Sequence, residues 1–340
     1  MPETMRAILC SNPGQLELIE RPIPTPGAGE ALVRIRRIGV CGTDMHIYQG
    51  NQPYFTYPRV MGHELSAEVM EVPKGSKLKA GDAVYIVPYL HCGHCVACRV
   101  GRTNCCTSLK VLGVHIDGGM CEYLALPEQA LFKAEGITLD EAAMVEFLAI
   151  GAHAVARAQV KPGQRALVVG TGPIGVGVAS FAMLNGAEVT VLDGRDDRLA
   201  FCRQTLKVPH AVKLGPDDVE QLKALTDGEF FHHVFDCTGS PRAMERGFSF
   251  VAHGGTYVLV SIVQGNIGFS DPEFHKRETT LLSSRNATLA DFATVMSAMR
   301  DGKIPTKAIN THRAPLWDVA AKMPEWIRPD TGTVKAILEV

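Results

Sequence analysis

Four cysteines in the segment HCGHCVACRVGRTNCC, Cys92, Cys95, Cys98 and Cys106, are spaced as C-x2-C-x2-C-x7-C. Four thiolates this close in a loop can complete a tetrahedron around Zn2+, which leaves no position for a substrate, so the group reads as a structural zinc site. Cys105 is the competing fourth ligand, and His91 and His94 are further donors nearby. A redox pair and a nucleic-acid zinc ribbon are the other readings of such a knuckle. A second donor set is dispersed along the chain: Cys41, Thr43, Asp44 and His46 in CGTDMH, His63 and Glu64 in GHE, and Glu146 in MVEFLAIGAHAV. One thiolate, one imidazole and one or two carboxylates give zinc three protein ligands and an open position for water or alcohol, which is what a catalytic site requires. Singly, these residues have plainer readings. His63 could be a packed core histidine, and Glu146 could sit in the positive field of a helix N-terminus.

Gly170-Thr-Gly172-Pro173-Ile174-Gly175 fits G-x-G-x-x-G, follows the apolar run ALVV and precedes a helical stretch. Asp193 closes the next apolar run 18 residues after Gly175, close to the spacing of about 20 at which an acidic residue meets the ribose of a dinucleotide. The glycines allow a tight turn, close approach of the backbone to a pyrophosphate and close helix–strand packing, and the helix N-terminus offers N–H groups to the phosphates. An acidic Asp193 accepts from both ribose hydroxyls and repels a 2′-phosphate, which favours NAD over NADP, with Arg195 and Arg198 near enough to temper that repulsion. Thr238 of DCTG, and Ser261 and Ile262 after the run TYVLV, complete the cofactor candidates. A glycine turn that merely packs is the alternative.

These residues need a framework of two kinds. From 1 to about 147 the chain is rich in Gly, Pro and short β-type runs such as ALVRIRRIGV and DAVYIVP, which predicts an irregular strand-rich domain carrying a metal lobe at about 88–108. Over 148–283 short apolar strands alternate with helical stretches, which predicts βαβ units around a doubly wound parallel sheet. From 284 to 340 the chain leaves that unit, through a helix opening at Thr288 with Asp291 three residues on and stopping at Asp301-Gly302, to a final strand AILEV. The length of 340 residues suits two domains, and a formal net charge of −2 argues against a nucleic-acid partner. No basic segment followed by an apolar stretch opens the sequence, and no apolar run approaches the ~18 residues of a membrane span. The reading is cytoplasmic, where clustered cysteines mean metal ligands or catalysis.

GVCGTDMH, GHE, the four-cysteine lobe, the helix bearing Glu146, GTGPIG with Asp193, and DCTG occur in one order and spacing along the whole chain. In this the sequence resembles the zinc-containing medium-chain dehydrogenases/reductases, in the sorbitol and threonine dehydrogenase branch. GNQPYFTYPRVMGHE, GRTNCC, SDPEFHKRETT and SSRNAT are similar, more closely, to bacterial L-galactonate 5-dehydrogenase-like sugar-acid oxidoreductases. One departure is Phe147, where that branch usually carries Pro. The resemblance implies a GroES-like catalytic domain beside a Rossmann NAD-binding domain, two zinc ions per chain and NAD as cofactor. It implies that Cys41 and His63 bind catalytic zinc, with Glu64 and Glu146 as alternating or water-mediated ligands and Asp44 orienting His63. Thr43 and His46 would carry the released proton outward. It also implies a homodimer or homotetramer joined through the cofactor domains, with TYVLVSIV near the shared sheet edge.

The substrate so implied is small and polyhydroxylated. An aldonate carboxylate asks for a cation, preferably an arginine, and Arg285 in SSRNAT is the leading choice, followed by Asn286, His115 and Asn51, with Gln52, Glu273 and His275 behind them. The expected reaction is oxidation of a secondary alcohol of an L-galactonate or L-gulonate type sugar acid. A 2-keto-3-deoxy sugar acid, a sorbitol-like polyol and L-threonine are the alternative substrates. An inactive cofactor-binding relative and a zinc-knuckle regulator are the readings without catalysis.

Overall fold

The computed structural model describes residues 3–340. The chain packs as two compact units, one comprising Met1–Glu146 with Met296–Val340 and the other Phe147–Val295. The return therefore falls at 295/296, inside a helix, rather than at the chain's exit from the second unit's strands near 284.

In the first unit, ALVRIRRIGV becomes the long strand β1 (Glu30–Val40), whose alternating aliphatic residues are buried. It pairs antiparallel with β2 (Glu64–Glu71) on one side and with the C-terminal strand Lys335–Glu339 on the other. These three strands are the middle of a seven-stranded sheet. Ile35, Ile38, Val69 and Leu338 lie in its core, together with Trp326. Helix α1 (Gly42–Gln49) leaves directly from the end of β1, with Cys41 as its N-cap. The register sets Glu64 opposite Gly39 and Gly39 opposite Ile337. Cys41 and Glu64 are thus brought to one end of three adjacent strands, the third of which comes from the far end of the chain.

The second unit begins within helix α2 (Val145–Ala158). Six strands, β3 (Arg165–Val169), β4 (Glu188–Asp193), β5 (His210–Lys213), β6 (Phe231–Asp236), β7 (Val251–Leu259) and β8 (Thr280–Ser283), form one parallel sheet in the order β5-β4-β3-β6-β7-β8. The order reverses between β3 and β6, the place where a doubly wound sheet opens a crevice at its carboxyl ends. Helix α3 (Pro173–Leu184) opens there, with Gly172 as N-cap and Pro173 in its first turn. Gly175 cannot be replaced cheaply, because a Cβ on it would stand 1.9 Å from the Gly170 carbonyl oxygen. Helix α4 (Leu289–Arg300) starts where Thr288 donates from both its N–H and its hydroxyl to Asp291.

The segment TYVLVSIV lies one strand in from the sheet edge. Residues 256–259 pair with β6 on one side and β8 on the other, so the open edge belongs to β8.

Candidate functional site

Cys41, His63 and Glu64 converge at the end of β1 and the start of β2, with one donor atom of each within 4.8 Å of the others. Cys41 reaches this point as the N-cap of α1, and Asp44 in the next turn accepts the Cys41 N–H at 2.9 Å. Asp44 Oδ1 and His63 Nδ1 are both buried without a hydrogen-bond partner and stand 3.9 Å apart. That separation is too long for a hydrogen bond, so Asp44 acts on His63 through charge in this geometry.

The pocket is crowded with acids. Burial pushes the Asp44 pKa up, only partly offset by His63. Burial also raises Glu146, to about 6, with His63 opposing and Glu64 reinforcing the shift. Burial disfavours a charged His63, yet the Cys41 thiolate, Asp44 and Glu146 outweigh it and hold its pKa well above the usual value. A thiolate and three carboxylates around one imidazole are an arrangement that a divalent cation would neutralise. The orphaned nitrogen of His63 points the same way, so the residues fit zinc in chemistry as well as in spacing.

Glu146 stands outside the three-donor group, and its Oε1 accepts the hydroxyl of buried Tyr89. Glu64 has a partner that sequence reasoning missed. Lys335, fully buried at the start of the C-terminal strand, donates to both Glu64 oxygens at 2.7 Å and to the Val40 carbonyl at 3.3 Å. Burial works against its charge, but Glu64 and the Cys41 thiolate keep its pKa raised. A Cβ at Gly39 would lie 2.1 Å from Glu64 Oε2, so the glycine opposite clears the space this carboxylate occupies. A lysine opening a short strand reads as a solvated strand end, and only the register shows what it faces.

Thr43 is half-buried in the first turn of α1, and His46, exposed on the same helix, holds Asn51 Oδ1 at 2.9 Å through Nδ1. Asn51 is thereby tied to the histidine at the outer end of the expected proton path. His115 Nδ1 accepts the Val111 N–H at 3.1 Å, and its ring stacks on Tyr54. Arg285 is exposed and Asn286 takes a left-handed backbone conformation, both in the second unit just beyond β8.

In the lobe, Cys92, Cys95, Cys98 and Cys106 bring their sulfurs within 4.8 Å of one another. Backbone N–H groups of Cys92 and Ser108 point at the Cys106 sulfur. Donors from the backbone of Thr107 and Cys98 lower the Cys95 thiol to about 5, the form a metal takes. Cys105, His91 and His94 stand outside the group among the described residues, and His94 Nδ1 lies 2.8 Å from the Cys92 carbonyl instead.

A cavity at the carboxyl ends of β3, β4 and β6 is lined by Gly170, Thr171, Gly172, Asp193, Arg198 and Thr238. Arg195 also lines it, as do Arg242 and Arg246, which the sequence reading did not single out. Arg246 is held by a bidentate pair with Asp218 and lies over the Phe250 ring. Pro173, Ile174 and Gly175 build the helix opening beside the cavity, whereas Ser261 and Ile262 follow the end of β7, outside its lining.

Residues 27–136 match the alcohol dehydrogenase GroES-like domain, and residues 173–301 match the zinc-binding dehydrogenase family. The chain is 45% identical to L-galactonate-5-dehydrogenase of Escherichia coli K12 over 318 residues, 93% of this chain and 94% of that protein. The chain belongs to the zinc-binding alcohol dehydrogenase family. It is an oxidoreductase of that family, which uses zinc and a nicotinamide cofactor. An alcohol dehydrogenase from E. coli CFT073, solved with NADH, superposes with a TM-score of 0.93 at 29% identity, covering 100% of both chains. L-idonate 5-dehydrogenase from E. coli K-12 superposes with a TM-score of 0.90 at 25% identity, covering 99% of this chain and 98% of that one. Among the described residues no helix is long and apolar enough to cross a membrane.

Proposed function

We propose that the chain oxidises a secondary hydroxyl of a sugar acid of the galactonate class and passes the hydride to NAD. The observation that carries this reading is the 45% identity to a galactonate dehydrogenase, sustained over 93% of the chain, in a protein where Cys41, His63 and Glu64 bring three donor atoms within 4.8 Å of one another. Zinc held by Cys41, His63 and Glu64 would supply Lewis acidity to the substrate hydroxyl, lowering its pKa. NAD, with Asp193 at its adenosine ribose, would supply the hydride acceptor. Around them the chain's own groups bind, orient and move a proton. Thr43, half-buried in the first turn of α1, accepts the substrate hydroxyl's proton as it gives up its own, which passes by way of a cofactor ribose hydroxyl to His46 and from there to solvent, with Asn51 fixing the ring. Tyr89 holds Glu146 in place as a second carboxylate for the metal. Arg285 is the guanidinium assigned to the substrate carboxylate. The four-cysteine lobe is a closed structural zinc site.

The protein works as a homodimer or a dimer of dimers, joined at the open β8 edge, where Leu281 is 37% exposed. It acts in the cytoplasm, in keeping with ten free thiols, four of them clustered for metal. Absorbance of NADH measured over a panel of hexonates, pentonates, 2-keto-3-deoxy sugar acids, polyols and threonine tests the reading. Turnover highest on an aldonate supports it, and turnover confined to polyols or threonine removes the sugar-acid assignment.

A further inference from the structure

The carboxylate of Asp193 is already well supplied with donors. Oδ2 accepts both the Thr171 N–H and the Thr171 hydroxyl, each at 2.7 Å, and Oδ1 accepts the Arg195 N–H at 2.9 Å. A carboxylate oxygen offers about two lone-pair directions, so Oδ2 is full and Oδ1 has one place left. A ribose diol brings two hydroxyl donors. One of them finds an acceptor on Asp193 and the other must displace the Thr171 hydroxyl.

The two backbone N–H groups, one on each oxygen, already fix the plane of the carboxylate. The Thr171 hydroxyl therefore adds little orientation and consumes one acceptor position. Thr171 is 1% exposed, so its hydroxyl has no water to turn to when the cofactor arrives, and its other neighbour is the buried Cys202 sulfur, a weak acceptor. We infer that Thr171 is a specificity-determining residue: its hydroxyl occupies the place on Asp193 that a second ribose hydroxyl would take, and so narrows the margin by which NAD is preferred over NADP. The 2′-phosphate of NADP, an acceptor itself, gains nothing from a freed lone pair, and Arg195 and Arg198 line the same cavity to receive it. This rests on the reading of the cavity as the adenosine site.

The test uses the zinc-loaded enzyme without substrate, and Kd for NADH and for NADPH from nicotinamide fluorescence. Thr171→Val keeps the shape and removes the hydroxyl, and Thr171→Ser keeps the hydroxyl. Each is made alone and together with Asp193→Ala. Thr171→Val is expected to tighten NADH by about three- to tenfold, the net size of one hydrogen bond exchanged with solvent, while NADPH changes by less than about twofold. Thr171→Ser should bind like the wild type, and in the Asp193→Ala background Thr171→Val should change neither nucleotide. Weaker NADH binding in Thr171→Val, an equal change for both nucleotides, or the same gain without Asp193 overturns the inference. Should the valine variant not fold, Thr171→Ala carries the same expectation. Wild-type protein that binds neither nucleotide overturns both the adenosine-site reading and this one.

Discussion

Replacing Lys335 with Met keeps the length of the side chain and removes its charge from a place with no water to replace it. Both side chains of the Lys335–Glu64 pair are 0% exposed, and three hydrogen bonds from the ammonium are lost at once. Breaking a buried pair by deleting one partner costs about 3–5 kcal/mol, most of it the stranded charge on the survivor. With a urea slope of about 2 kcal/mol/M, the unfolding midpoint of metal-free protein should fall by about 1.5–2.5 M. Both tryptophans, Trp317 and Trp326, belong to the first unit, so tryptophan fluorescence follows the unit that holds the pair. Zinc supplies a competing positive charge to Glu64, so the deficit should shrink to well under half when the protein is saturated with zinc. Adding Glu64→Gln to metal-free Lys335→Met should recover most of the loss, because no charge is then stranded. An equal deficit with and without zinc, or a midpoint shift below about 0.5 M in its absence, would refute the reasoning that the lysine's role is to compensate this carboxylate.

Cys41→Ser should lose about one zinc per chain by elemental analysis, and nearly all turnover, while circular dichroism stays that of the wild type. Arg285→Met should lower kcat/KM for an aldonate by about 2–4 kcal/mol and that for a polyol of equal length much less, and equal losses on the two would remove the carboxylate contact. Burial would raise the pKa of Asp291, but hydrogen bonds from His153 and Thr288 outweigh it and leave it below the usual carboxylate range. A folded pKa below the unfolded one gives stability that is present above about pH 4 and lost as pH falls through the folded value. Asp291→Asn should therefore lower the thermal midpoint at pH 7, and the gap to the wild type should close toward pH 3.

Much of this was legible in local spacing. PIGVGVASFAML is helix α3 from its first residue to its last, and EVTVLD is strand β4, because a glycine turn, a proline in the first helical turn and an apolar run each act over a few residues. The four-cysteine group, closed within fifteen residues, was legible for the same reason. What escaped depended on register. Lys335, Tyr89 and Arg246 acquire their roles from Glu64, Glu146 and Asp218, partners that only strand pairing and helix packing bring near.

Glu64 and Lys335 are separated by 271 residues of chain, and this orders events on the ribosome. At about 5–20 residues per second, Glu64 is made roughly 15–50 s before its partner. During that interval all four lobe cysteines and the whole six-stranded sheet of residues 165–283 have been synthesised. The acidic pocket, with β1 lacking its neighbour Lys335–Glu339, meets the cell first as a set of carboxylates without their lysine, beside a strand paired with β2 but open on its other edge where that neighbour belongs. Metal arriving in that window would find Glu64 with no competitor, so the time at which zinc is captured decides whether it enters a pocket that already holds its own cation or one that does not.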